Sequence, residues 1–204
     1  MSEAYHAGSR ALQDRFDTRR LADRLAERLS RVQFSDEDKA FIESRSMFFL
    51  ATADASGQPD CSYKGGLPGF VRITGPGELA FPSYDGNGMF RSLGNVRVNP
   101  AVGLLFLDFE KPQRLRVNGT ATVSDSDPLL GEFAGAQLVV RVRAERIFPN
   151  CPRYLHRMQF IEPSPYAPRP DYEPPEPGWK KQPAFREVLP GTGPECPPGG
   201  NTGR

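Results

Sequence analysis

Leu21, Leu25 and Leu29 recur at four-residue spacing among Arg20, Arg24, Glu27 and Arg28, a rhythm that predicts an amphipathic helix within residues 10–32. Ser35 stands before Asp36, Glu37 and Asp38, so a second short helix starts there with a hydroxyl cap and an acidic first turn. Phe41 and Ile42 on that helix face a core. The period then changes to two. Met47–Ala53 (MFFLATA) is a short apolar run closed by the turn cluster Asp54-Ala55-Ser56-Gly57. Pro59–Lys64 and Phe70–Thr74 follow, separated by Gly65-Gly66 and Pro68-Gly69, and Gly75-Pro76-Gly77 turns the chain into Glu78–Phe81. Val102–Phe109 is the most hydrophobic strand, and Leu115–Val123 alternates most cleanly. Asp127-Pro128 opens a short helical turn through Glu132, and Gln137–Phe148 is the last long strand. Six or seven strands on short turns, with no strand–helix–strand alternation, predict a mainly β fold, an antiparallel barrel or sandwich.

From Glu162 the pattern is lost. Twelve of the 21 prolines lie from there onward, a composition that cannot bury a core and predicts an extended tail. Trp179 and Phe185 are exceptions. Extended proline-rich backbone loses less entropy on docking than an ordinary loop, and aromatics supply contact area. The segment to about Leu189 is therefore expected to dock on the domain, with disorder beyond it. The expected division is a helical segment over 1–45, a barrel domain over 46–161 and a tail over 162–204.

Charge and cysteine content narrow the class. Net charge is +1 with 25% charged residues, so no basic bias points to nucleic acid or a membrane surface as partner. The seven arginines before Val32 alternate with Asp14, Asp17, Asp23 and Glu27, the mark of a solvated helix face. No apolar run approaches the ~18 residues that span a bilayer. MSEAYHAGSR lacks a secretory pattern, and a cytoplasmic location is expected. Cys61, Cys151 and Cys196 form no close pair, so neither a disulfide framework nor a zinc site is expected.

The chemistry concentrates between Leu79 and Gly119. Asp85-Gly86-Asn87-Gly88 allows positive φ and close backbone approach. A short helix carrying Arg91 and Ser92 follows at once and stops at Asn99-Pro100. Its first amides make an anion site, and a guanidinium fork and a hydroxyl are standard phosphate donors. Asn95 lies on the same helical face. Beyond the Glu110–Gln113 turn, Arg114, Arg116 and Asn118 alternate and point to one side, with Leu115 and Val117 to the other. Such a segment can hold a phosphate at the loop and a flat ring against the strands. His156 in CPRYLHRM, near Cys151 and Met158, is of a type that can ligate haem.

Between about Phe41 and Ile161 the chain resembles the pyridoxamine 5'-phosphate oxidase-like family of FMN-binding split β-barrels. The resemblance rests on FFLATAD-x-x-G-x-PD, on SYKGGLPGFVRI, and above all on FP-x-YDGNGMFRSLGN-x-x-x-NPAVGLLFLDF followed by RLRVNG. It implies an antiparallel split β-barrel forming a homodimer, with FMN in a groove between protomers and a small-molecule substrate. It implies that Arg91 and Ser92 match the phosphate-binding turn, with Asn87, Met89 and Asn95 beside them. Ser62, Tyr63, Lys64 and Gly65 would line the flavin, Arg114 would reach the isoalloxazine edge, and Arg116 would follow on the same face. True pyridoxamine phosphate oxidases close with a tryptophan-containing C-terminal segment whose Arg and His grip the vitamin's phosphate. The only tryptophan here lies in PPEPGWKKQPAF, so vitamin B6 oxidation is not expected. The resemblance implies an FMN-dependent oxidoreductase, and it leaves open a flavin carrier or sensor without turnover and a haem- or deazaflavin-binding relative.

Overall fold

The computed structural model describes residues 4–190. The helix expected over 10–32 is two helices, α1 (Ala7–Arg15) and α2 (Arg19–Leu29). Asp17 between them has φ 52, a left-handed conformation that cannot continue a right-handed helix and that Asp tolerates better than most residues. Leucine spacing carries no mark of this break. The stripe of Leu21, Leu25 and Leu29 is solvent-exposed in the single chain. α3 (Asp36–Glu43) starts at Ser35 with a reciprocal capping box, the Asp38 amide donating to Ser35 Oγ and the Ser35 amide to Asp38 Oδ2. Arg31 clamps the same carboxylate, Nε to Oδ2 at 2.8 Å.

Seven strands follow: β1 (Met47–Ala53), β2 (Pro59–Gly65), β3 (Arg72–Gly75), β4 (Glu78–Tyr84), β5 (Ala101–Asp108), β6 (Gln113–Ser124) and β7 (Ala136–Pro149). α4 (Arg91–Val98) lies between β4 and β5. All pairings are antiparallel, in the order β2-β1-β5-β6-β7-β4-β3. β4 runs to Tyr84, three residues past the apolar run, because Pro82–Tyr84 pair with Val139, Leu138 and Ala136 of β7. Among the described residues, no helix is long and apolar enough to cross a membrane.

The sheet is strongly curled. Four strand-to-strand steps separate β1 from β4, about 19 Å in a flat sheet. Yet Phe48 of β1 and Phe81 of β4 pack edge to face with ring centroids 5.0 Å apart. Phe48 also meets Phe106 at 5.1 Å and Phe70 at 5.9 Å. The two ends of the sheet therefore close by side-chain packing rather than by a ladder, which is a split barrel. Ile42 of α3, Val71, and Leu93 and Val96 of α4 complete the buried core.

Beyond residue 161 the chain has no long element: it makes a tight turn closed by a bridge between Arg169 and Tyr172, a 3₁₀ turn (Gly178–Lys181) and the short helix α5 (Pro183–Arg186), with Pro at its start. Cys61 and Cys151 are free and exposed. Cys196, and the disorder expected past Leu189, fall outside the described residues apart from Pro190.

Tight curling needs close backbone approach at one place in particular. The β6–β7 ladder slips between Asn118 and Gly119, passing over Glu145, and a Cβ on Gly119 would run into the Arg143 carbonyl oxygen. Gly119→Ala should lower stability by about 1–3 kcal/mol through overpacking, read as a lower urea midpoint with an unchanged slope.

Candidate functional site

The split in the barrel leaves a groove of about 760 Å³ between β2 on one side and the ends of β4 and β7 on the other, with α4 across its floor. That volume is typical of small-ligand sites, roughly 300–1,000 Å³. On β2, Asp60, Ser62 and Lys64 pair opposite Thr52, Leu50 and Phe48 of β1. They share the face of those core residues, since alternate residues of a strand point the same way.

Three polar contacts seat α4. The Ser92 hydroxyl is buried, donates to Asp60 Oδ2 at 2.7 Å, and lies 2.9 Å from Ser62 Oγ. The Asn95 amide donates to Thr52 Oγ1 at 3.1 Å. At the helix start, Gly88 has φ 74 and the N-cap residue Phe90 has φ 46. Asn87 Oδ1 accepts from the Met89 amide at 3.1 Å, shaping the turn into the helix. No side chain caps α4. The amides of Arg91, Ser92 and Leu93 have no intrahelical partner and stand at the groove, where the helix dipole favours an anion. Arg91 is exposed and only loosely paired, Nε lying 3.9 Å from Asp60 Oδ1, so its guanidinium can turn to a ligand at little cost.

Other groups tune the groove. Burial holds the Lys64 ammonium below its ordinary pKa, and the Asp60 charge partly offsets this. Burial pushes the Tyr84 phenol up to about 12. The tail forms the far wall. Trp179, Lys180, Phe185 and Leu189 line it. Lys180 Nζ lies 2.6 Å from Asp85 Oδ2, and Trp179 and Phe185 pack edge to face at 5.9 Å.

The residues singled out in the sequence fall into two groups. Ser62, Lys64, Asn87, Met89, Arg91 and Ser92 converge on the groove. Asn95 seats the helix beside it instead of lining it. Tyr63, Gly65, Arg114 and Arg116 lie on the opposite, outer face of the sheet. There the register sets Tyr63, Phe49, Leu105, Arg116 and Phe148 in one row across β2, β1, β5, β6 and β7. Tyr63 is exposed with its ring edge against Phe49, and Arg114 carries a buried Nε without a hydrogen-bond partner. Alternation within a strand was legible in the sequence; the parity of one strand against the next is set by register. Asp60 and Tyr84 are not singled out in the sequence, because an isolated acid or phenol near a turn carries no pattern, and Asp85 is marked there only as part of the glycine-rich loop, since its partner Lys180 lies far along the chain. His156 is exposed and does not line the groove, and among the described residues no cluster of three His, Cys, Asp or Glu could hold a metal.

Fold and groove define a split-barrel protein with a donor-rich cleft at the seam of its sheet. The family model for pyridoxamine 5'-phosphate oxidase matches residues 34–162, well over half of the chain, and the chain belongs to that family. Similar solved structures include HupZ of Group A Streptococcus (23% identity, TM-score 0.46, 57% of this chain and 93% of that one). A conserved hypothetical protein of Mycobacterium tuberculosis is 19% identical with TM-score 0.43, over 64% of this chain and 94% of that one. HutZ, the heme storage protein of Vibrio cholerae, is 22% identical with TM-score 0.42, over 57% and 94%. No curated protein sequence matches the chain.

Because Ser92 joins α4 to β2, Ser92→Ala leaves the Asp60 carboxylate short of a donor. It should cost about 1–3 kcal/mol, and amide hydrogen exchange should speed up in α4 before the β5–β7 core.

Proposed function

We propose that the chain binds FMN in this groove and works in the cytoplasm as an FMN-dependent oxidoreductase on a small-molecule substrate. The observation that carries the reading is the uncapped start of α4 meeting Arg91 and Lys64 in one groove. These donors suit a phosphate monoester, and the apolar Met89 and Phe90 beside them suit a flat ring system. Asp60 acts indirectly, holding Ser92 and thereby the position of the amides. Bound flavin supplies the hydride and electron chemistry, which is why the groove needs no dedicated general base. The chain's own part is to bind and to orient.

Two copies complete the site in this proposal. Tyr63, Arg114 and Arg116 cannot reach the groove of their own protomer from the outer face. A second copy laying that face beside the groove would bring them to the ring, pair the unpartnered Arg114 Nε, and cover the Tyr63–Phe148 row. Light scattering on the FMN-loaded protein at micromolar concentration should report a dimer, and a monomer would remove this part of the reading.

The absorption spectrum of purified protein separates flavin from haem and deazaflavin in one scan, and flavin bands are expected. Arg91→Ala removes a charge-assisted contact of roughly 1.5–3 kcal/mol, so FMN affinity should fall about ten- to a hundredfold. Riboflavin, which lacks the phosphate, should bind far more weakly than FMN. Wild-type FMN affinity in Arg91→Ala would refute the phosphate assignment. Anaerobic bleaching by a nicotinamide donor is expected; flavin that stays oxidised assigns a carrier or sensor instead.

A further inference from the structure

The groove is chemically lopsided. Of its three cationic side chains among the described residues, Lys64 and Arg91 stand on the barrel side, at the α4 end. The third, Lys180, belongs to the tail and is held 2.6 Å from the Asp85 carboxylate. The rest of the tail's contribution is apolar: Trp179, Phe185, Val188, Leu189 and Pro190. Trp179 and Phe185 meet edge to face at 79°, so each ring restrains the other. Lys180 also lies over the Trp179 ring, 5.8 Å from its centroid, so the ion pair and the aromatic pair form one unit. The groove side of the tail therefore offers aromatic and apolar surface, with its one lining cation already paired.

We propose that Gly178–Leu189 form the selective wall of the groove, accepting a flat, uncharged ring as substrate and turning away phosphorylated ones. This rests on the reading of the α4 end as the FMN phosphate site. With that end taken, a second phosphate finds on the groove side of the tail only Lys180, already paired with Asp85, because Lys181 and Arg186 do not line the groove. Desolvating it there without a partner is costly, whereas an uncharged ring stacks on Trp179 with nothing left unpaired. Lys180 is a positioning residue that holds the indole in place through Asp85.

The test uses the full chain loaded with FMN and two probes, 2-methyl-1,4-naphthoquinone and pyridoxamine 5'-phosphate, followed by titration calorimetry. The quinone should bind at least about tenfold more tightly than the phosphorylated ring, a difference of one aromatic contact or more. Trp179→Ala should weaken quinone binding about tenfold while FMN affinity stays within about twofold, and Trp179→Phe should restore most of the loss. Lys180→Ala should also weaken quinone binding. It should shift the emission of Trp179, the chain's single tryptophan, to the red as the indole is released. Equal or tighter binding of pyridoxamine 5'-phosphate overturns the proposal, as does quinone affinity unchanged in both variants. A wild-type chain that takes up no FMN refutes the α4 reading instead. Quinone titrations of that chain and of its Trp179→Ala variant still decide the wall, an affinity about tenfold weaker in the variant supporting it and an unchanged affinity overturning it.

Discussion

The contact between Phe48 and Phe81 holds this architecture together. The two rings belong to strands far apart in the ladder and meet at 5.0 Å, so the sheet must curl until its ends face each other. No backbone hydrogen bonds link β2 to β3 across that closure among the described residues. Closure by aromatic packing alone leaves a seam, and the seam is the groove. Full ladder closure would have filled the space with side chains, as small closed barrels do.

α4 turns that seam into a site. Its polar seating is economical: one buried hydroxyl, Ser92, joins the helix to Asp60 and Ser62, and one amide joins Asn95 to Thr52. Polar pinning over an otherwise apolar helix underside fixes rotation as well as position. Position decides where the axis-directed amides of Arg91–Leu93 point, and rotation decides which side chains of α4 turn inward. The same contact sets an acid beside an anion site. Asp60 is engaged by Ser92, and its remaining pull on Arg91 is weak at 3.9 Å, so the carboxylate organises the donors without consuming them.

The outer face poses the complementary problem. Tyr63, Phe49, Leu105 and Phe148 form an apolar row broken by Arg116, and Arg114 has a buried Nε with no acceptor. Such a surface is poorly suited to solvent. The exposed leucine stripe of α2 adds apolar area elsewhere on the same chain. The proposal of a second copy draws on the first of these two surfaces; the second has no assigned occupant.

Much of this was legible in the sequence, because it depends on nearest neighbours. The Ser35 cap, the seven strand segments, the stop at Asn99-Pro100 and the inward Leu115 and Val117 follow from local propensity and periods of two and 3.6. The break at Asp17 did not, since a single left-handed residue leaves the leucine spacing intact. Nor did the 3₁₀ turn and short helix of the tail, which arise where Trp179 and Phe185 find partners. Register and curl were also out of reach. They sent Arg114 and Arg116 to one face and Lys64 and Ser92 to the other, and they set Asp60 under Ser92 and Asp85 beside Lys180, each pair far apart in sequence. The chain's own pattern determined which residues carry donors and which strands carry core. Only tertiary packing decided which donors meet, because strand parity and barrel closure depend on contacts that no local stretch encodes.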